Sequence, residues 1–411
     1  MNIFAIITAL CAVSTLFSYI NARWIRLPGV IGVMLLAIIA AVLTLVAGKS
    51  FPVISGFLHN LAGEIDFSKT LLDVLLGFLL FASALHFDIN RLKDGLGAVI
   101  TISTVGVILS TLIFAGLLFE LAPLLGMQIP FIYCLLFGAL VSPTDAVAVA
   151  ALLKNSKMPT RLETIISGES LFNDGIGLVL FVTFLELAET PDKSFHLQEA
   201  AILFSKEVFG GLALGIITGW IAYKLMRSIT DFQTIVLISL TLVMAISAIG
   251  SALHVSVPLA VVAAGLLVGS HPIGVEENSP TNDYLGRIWK LLDDLLNTIL
   301  FVMIGLQLVG ITINNSYLLI GSVAIILLLM ARALSIILPV VLLRRTLKLK
   351  YNSITILTWG GLRGGISVAL ALSLPESPYR AVILGGSFII VVFSVMVQGL
   401  TLNKVVNKLL G

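Results

Sequence analysis

Five charged side chains lie deep inside apolar runs, and their types and spacing limit the chemistry open to this chain. Asp145, Glu169, Asp174, Arg332 and Arg363 each sit several residues inside a stretch long enough to cross a bilayer. A charge at the bilayer centre costs at least about 2.5–3.5 kcal/mol, so such groups usually face a cavity or a partner. Carboxylate, hydroxyl and carbonyl oxygens are hard ligands, suited to an alkali cation rather than a soft metal.

Asp145 ends the string Val141-Ser142-Pro143-Thr144-Asp145. Pro143 has no N–H to donate and clashes with the preceding turn, which predicts a broken or kinked helix. Its freed carbonyls would lie at membrane depth, where non-helical backbone is tolerated only inside protein or along a water-filled cavity. A plain proline kink is the simpler reading of Pro143 alone. With Thr144 and Asp145 beside it, an ion site is favoured.

Asp174 closes the run Ser167-Gly168-Glu169-Ser170-Leu171-Phe172-Asn173-Asp174-Gly175. At 3.6 residues per turn, Ser170 and Asp174 lie on one helix face, about 40° apart, while Glu169 lies about 140° round from Asp174. Two acids facing different ways suggest two roles, ion binding for Asp174 and structural pairing for Glu169. The alternative is that both carboxylates pair with arginines and nothing moves. One arginine is expected to neutralise Glu169, with Arg332 favoured, because removing one member of a buried pair leaves an uncompensated charge. Arg363 sits in Trp359-Gly360-Gly361-Leu362-Arg363-Gly364-Gly365, where four glycines within six residues mark a second interrupted helix or a glycine-rich packing face.

These residues need a scaffold of membrane helices, and the composition supplies one. Of 411 residues, 58% are apolar and 11% charged, against about 45–50% and about 25% in a soluble domain. This is the composition of a polytopic membrane protein; it excludes a cytosolic enzyme, a secreted disulfide scaffold and a nucleic-acid binder. A window of about 20 apolar residues predicts thirteen spans, near 3–20, 28–47, 70–88, 96–120, 130–153, 160–187, 198–225, 231–252, 256–270, 287–309, 317–343, 352–374 and 379–399. The first has no basic residue before it and no small-residue cleavage site after it, so it reads as a retained helix. Cys11 and Cys134 read as small core residues, not as a metal or redox pair.

Lys and Arg favour the cytoplasmic side in short loops. With the N-terminus outside and thirteen spans, seventeen basic residues fall on one side, among them Arg23, Arg26, Arg161, Lys224, Arg227, Arg287, Lys290, Lys404 and Lys408. Only Lys49, Lys69, Lys193 and Arg380 fall on the other, with Lys206, Arg332 and Arg363 inside spans. The chain is therefore expected in the cell (inner) membrane with its C-terminus in the cytoplasm. No loop of the form G-x-x-x-x-G-K-[ST] occurs, so the sequence offers no ATP-binding site and any transport would be passive or driven by another gradient. The interrupted spans, five and twelve, are seven apart. Corresponding breaks in two halves point to a midplane site between inverted repeats.

The strings SPTDAVAVAALL (142–153), SGESLFNDGIGLVLF (167–181), LLNTILFVMIGLQL (295–308), RALSIILPVVL (332–342) and WGGLRGGISVALALSLP (359–375) resemble, in order and over nearly the whole chain, monovalent cation/proton antiporters of the NhaP and sodium–proton exchanger type. The resemblance implies an all-α, NhaA-like fold of about 13 transmembrane helices with two crossed interrupted helices, a homodimer assembled through the first spans, and exchange of Na⁺ (or Li⁺, sometimes K⁺) for H⁺. It implies that Asp174 is the carboxylate loaded in turn with proton and cation, and that Asp145, Thr144 and Ser170 complete the cation site. Asn173 would bond to the broken helix near Thr144, and Glu169 would pair with Arg332. The Asn-Asp pair implies electroneutral exchange. Many archaeal relatives carry a glutamate in the third span; here Ala82 falls at that place, with Ser83 or water expected to fill in.

The mechanism expected is competition of Na⁺ and H⁺ for Asp174, with an empty charged site too costly to carry past the apolar barrier. The whole chain, 1–411, would form one transmembrane unit. A core bundle near 96–187 and 317–399 would move against interface helices near 3–88 and 198–309. No cofactor is expected beyond the transported ions, and no enzymatic activity. A K⁺/H⁺ antiporter, a cation channel and an organic-solute transporter on a related fold are the alternatives. His59, His196 and His271 read as loop histidines, and His86 and His254 lie near span ends. Asp293 and Asp294 could concentrate cations at a vestibule or simply end a solvated helix.

Overall fold

Apolar runs of this length satisfy their backbone in lipid only as helices or closed barrels, and this chain forms helices. The computed structural model describes residues 3–47, 56, 63, 66–87, 95–145, 149, 158–189, 197–271, 280–309, 315–343, 349 and 351–410. Among these there is no strand. Nine helices among the described residues are long and apolar enough to cross a membrane, and shorter apolar helices accompany them. The all-α class expected from the sequence is the class observed.

In chain order the helices are α1 (Ile3–Ile20), α2 (Gly29–Ala47), α3 (Phe67–Leu85), α4 (Leu96–Leu125), α5 (Phe131–Val141), α6 (Thr160–Glu189), α7 (Leu197–Arg227), α8 (Phe232–Leu253) and α9 (Val257–Ser270). They continue with α10 (Pro280–Val309), α11 (Asn315–Leu342), α12 (Tyr351–Trp359), α13 (Gly365–Ser373) and α14 (Arg380–Leu410). Every expected span contains one of these helices, and the twelfth is divided into α12 and α13. Helix α10 begins at Pro280 rather than near 287. Helix α14 runs on past 399 because Leu402 and Val406 of the amphipathic tail are buried.

Local chemistry sets several ends. The Ser256 hydroxyl accepts from Leu259 N–H at the start of α9, with Pro258 in the first turn, where its missing N–H has no helical partner to lose. Helix α8 stops at His254, whose φ of 52° places it in the left-handed region. Helix α5 is only 11 residues long, about 16 Å at 1.5 Å per residue. That is half a bilayer.

Small residues decide which helices touch. Gly211, Gly215 and Gly219 recur every fourth position along α7, and a Cβ at Gly215 would overlap the Ala260 carbonyl on α9. Bare backbone on this stripe lets α7 and α9 pack at close range, the usual route to helix association in lipid. One apolar cluster joins α4, α5, α6, α11, α13 and α14. A second joins α1, α2, α3 and α10, with residues of α13 and α14 against it. A third collects α3, α7, α8, α9 and the start of α10. Ile202, Phe209 and Ile216 on α7, with Leu237 and Met244 on α8, point outward. Such an exposed apolar face is suited to lipid.

Two expectations about cysteine divide: Cys134 is buried, but Cys11 is exposed on α1 and is not a core residue. Much of the basic-residue pattern, including Lys49, Arg91, Lys93, Lys154, Lys157, Lys193, Arg344, Arg345, Lys348 and Lys350, lies outside the described residues, as do His59 and His196. So does most of the second half of the fifth span, 146–148 and 150–153.

Candidate ion-binding site

Helix α5 stops at Val141, and Ser142 to Asp145 continue as non-helical backbone. Pro143 at this point cannot donate to the preceding turn. The carbonyls it leaves unpaired are taken by a charge from another break: Arg363 Nη1 donates to Ser142 O and to Pro143 O, both at 2.7 Å. The Ser142 hydroxyl donates to Ser110 Oγ on α4 at 3.1 Å, which anchors the end of α5.

The second break spans Gly360 to Gly364, between α12 and α13. Its backbone is satisfied piece by piece. Asp145 N–H donates to Leu362 O at 2.8 Å, so the two interruptions meet main chain to main chain. Arg363 N–H donates to Ser394 Oγ at 2.8 Å, and Gln398 Nε2 donates to Trp359 O at 3.2 Å, both from α14. Glycine leaves room at Gly364, where a Cβ would displace the Asp145 carboxylate, and at Gly177 on α6, where one would overlap the Pro143 ring. Glycine at these positions lets α6 and α13 close on the first break.

The cleft between the breaks is lined by Pro143, Thr144 and Asp145 of the first, Ser170 and Asp174 of α6, and Gly364 and Ser367 beside the second. Ser83 of α3 and Asn297 and Leu300 of α10 complete its other wall. Thr144 Oγ1 and Ser170 Oγ share a hydrogen bond of 2.9 Å. Asn173 Nδ2 donates to Thr144 Oγ1 at 2.7 Å, so α6 grips the broken segment by two side chains. Asp174 is 8% exposed and Asp145 is half-buried, leaving both carboxylates reachable from the cleft. The charges of Asp145 and Arg363 both act on Asp174.

Glu169 faces away from this cleft. Its Oε1 lies 2.6 Å from Arg332 Nη2, and the two side chains are 1% and 2% exposed. The two arginines thus do different work, Arg332 neutralising an acid and Arg363 capping freed carbonyls. All nine residues singled out in the sequence lie around the two breaks. Asp174, Asp145, Thr144, Ser170 and Pro143 line the cleft, and Asn173, Glu169, Arg332 and Arg363 stand behind it.

Several lining residues were not singled out as site groups, among them Asn297, Ser367 and Leu300. Asn297 is 2% exposed in α10, and a polar residue one turn after Asp293 within an apolar span was a signal available in the sequence. Ser367 and Leu300 gave none. In the third span it is Ser83 that lines the cleft; Ala82 is buried among apolar side chains, and its carbonyl meets the His86 ring. Asp293 is held by Asn297 rather than freely solvated.

A model of the family described as sodium/hydrogen exchanger, transmembrane, matches residues 12–408. The chain is 39% identical over 419 residues to the Na(+)/H(+) antiporter NhaP of Pseudomonas aeruginosa, spanning 98% of this chain and 96% of that protein. It is 30% identical over 354 residues to the Na(+)/H(+) antiporter NhaH of Halobacillus aidingensis, spanning 84% of each. Its fold matches that of the sodium proton antiporter MjNhaP1 from Methanocaldococcus jannaschii with a TM-score of 0.79 at 20% identity, over 100% of both chains. Helices, paired breaks and sequence agree, and this multi-pass membrane protein belongs to the sodium/hydrogen exchanger family.

Proposed function

We propose that the chain is an electroneutral Na⁺/H⁺ antiporter, accepting Li⁺ as well, in which Asp174 carries either the proton or the cation. One observation carries the reading: two carboxylates and two hydroxyls converge on a single cleft beside interrupted backbone, while the remaining buried acid of α6, Glu169, already has its arginine. Asp145, Thr144 and Ser170 supply the other oxygens, a hard donor set suited to an alkali cation. Sodium exchange is also what the names of the relatives state.

Coupling follows from electrostatics. Either ion neutralises Asp174, and the loaded site can cross between the two sides. The empty site carries a bare charge that is costly to move through a low-dielectric barrier. Competition for one carboxylate thereby becomes exchange. Alternating access comes from α4–α6 with α11–α14 moving against the remaining helices, as in transporters whose site lies between broken helices. The protein works as a homodimer in the cell membrane with the N-terminus outside, the orientation its basic residues favour.

The test is Na⁺ uptake into proteoliposomes driven by an outward proton gradient. Asp174→Asn abolishes uptake, and the wild-type rate does not respond to an imposed voltage. Exchange retained in Asp174→Asn overturns the assignment; voltage-driven Na⁺ current without proton dependence would make the protein a channel.

A further inference from the structure

The ligand set above comes from α6 and the first break, yet the cleft has a second wall. Helix α10 contributes Asn297 to it. Asn297 is almost fully buried, and its Nδ2 donates to Asp293 O at 2.9 Å and to Asp293 Oδ1 at 2.8 Å. An asparagine amide has two N–H donors at one end and an oxygen acceptor at the other. Both donors are used on Asp293, one turn back on the same helix. The carbonyl oxygen is the end left for the cleft. Asp293 therefore sets the amide so that Asn297 offers an acceptor, the end an alkali cation binds.

Asn297 stands on a different set of helices from the other oxygens. It lies on α10, which packs against α1, α2 and α3. Asp145, Thr144, Ser170 and Asp174 belong to the first break and to α6. If these groups move together past α10, the cation keeps them as partners throughout the cycle but meets Asn297 only in one half of it.

We infer that Asn297, oriented by Asp293, is a cation ligand used in only one of the two access states, making Na⁺ affinity different on the two sides of the membrane. This rests on the exchanger reading above. Asn297 touches the substrate; Asp293 is a positioning residue.

The experiment varies Na⁺ on one face at a time, using full-length protein in proteoliposomes of determined orientation. Asn297→Ala raises the half-saturating Na⁺ concentration several-fold at one face and not at the other. Asp293→Ala shifts the same face in the same direction, and adding it to Asn297→Ala produces no further shift. If Asn297→Ala fails to fold, the Asp293→Ala asymmetry and a milder Asn297→Ser shift decide the matter. An equal change on both faces, or none, overturns the inference. Asp174→Asn runs alongside. Exchange surviving in that variant means the site itself is wrong, whereas its loss with an unmoved Asn297→Ala means only Asn297 is misassigned.

Discussion

The main-chain N–H of Asp145 donates to the carbonyl of Leu362, so a carboxylate of the cleft is carried on backbone tied directly to the other broken helix. Neither break could survive alone in a bilayer, since each leaves polar backbone without helical partners. Together they satisfy one another, with Arg363 adding two charge-assisted bonds to Ser142 and Pro143. Rigid backbone next to a water-reachable cleft is what a cation site at membrane depth requires. This pairing also says where mutations should act on binding and where on folding.

Glu169→Gln should act on folding. It leaves Arg332 buried without its counter-charge, at about 3–5 kcal/mol when one partner of a buried pair is removed. Yield of monodisperse protein and thermal midpoint in detergent should both fall, while the surviving protein keeps its Na⁺ dependence. A variant as stable as wild type but unable to exchange would move Glu169 into the transport step.

Gly364→Ala changes no charge, yet its methyl group would occupy the position of the Asp145 carboxylate. The expected result is weaker Na⁺ binding, by about ten-fold, equivalent to about 1.4 kcal/mol. Saturation of Na⁺-dependent pH dequenching in vesicles measures it. Unaltered saturation would mean that Asp145 does not hold the cation in the position seen.

Thr144→Val keeps the shape of the side chain and deletes its oxygen. Asn173 Nδ2 and Ser170 Oγ each lose a partner, and a buried polar group left unpaired costs about 1–3 kcal/mol. Both thermal stability and Na⁺ affinity should fall, and Thr144→Ser should recover most of each. Equal behaviour of the two variants would mean that the hydroxyl is not used.

A pH-dependent prediction concerns the start of α8, away from the site. Hydrogen bonds from the Thr234 side chain and backbone N–H hold the Asp231 carboxyl below its ordinary value. A group with a lowered folded pKa stabilises the protein above its unfolded pKa, and that contribution is lost as pH falls through the folded value. Asp231→Ala should therefore lower the melting temperature at neutral pH, and the gap to wild type should close as the medium is acidified below the carboxylate range. A gap independent of pH would assign the effect to the helix cap alone.

Much of this protein was decided by sequence alone, because lipid makes local rules strict. Apolar length dictated the helices, since backbone in hydrocarbon has no other solution of this size. Proline and clustered glycine marked both breaks, and the helical period put Ser170 with Asp174 and turned Glu169 away. Packing decided the rest. Local period says which way a side chain points, not what stands opposite, so Arg332 was only the favoured partner for Glu169 until α11 brought it there and the glycine-rich break turned Arg363 onto the Ser142 and Pro143 carbonyls. The same limit hid Asn297, while Ser83, already offered by the third span, does line the cleft. Contacts between residues more than a hundred positions apart depend on how closely helices approach, and stripes such as Gly211, Gly215 and Gly219 act on that spacing only once the partner helix is in place.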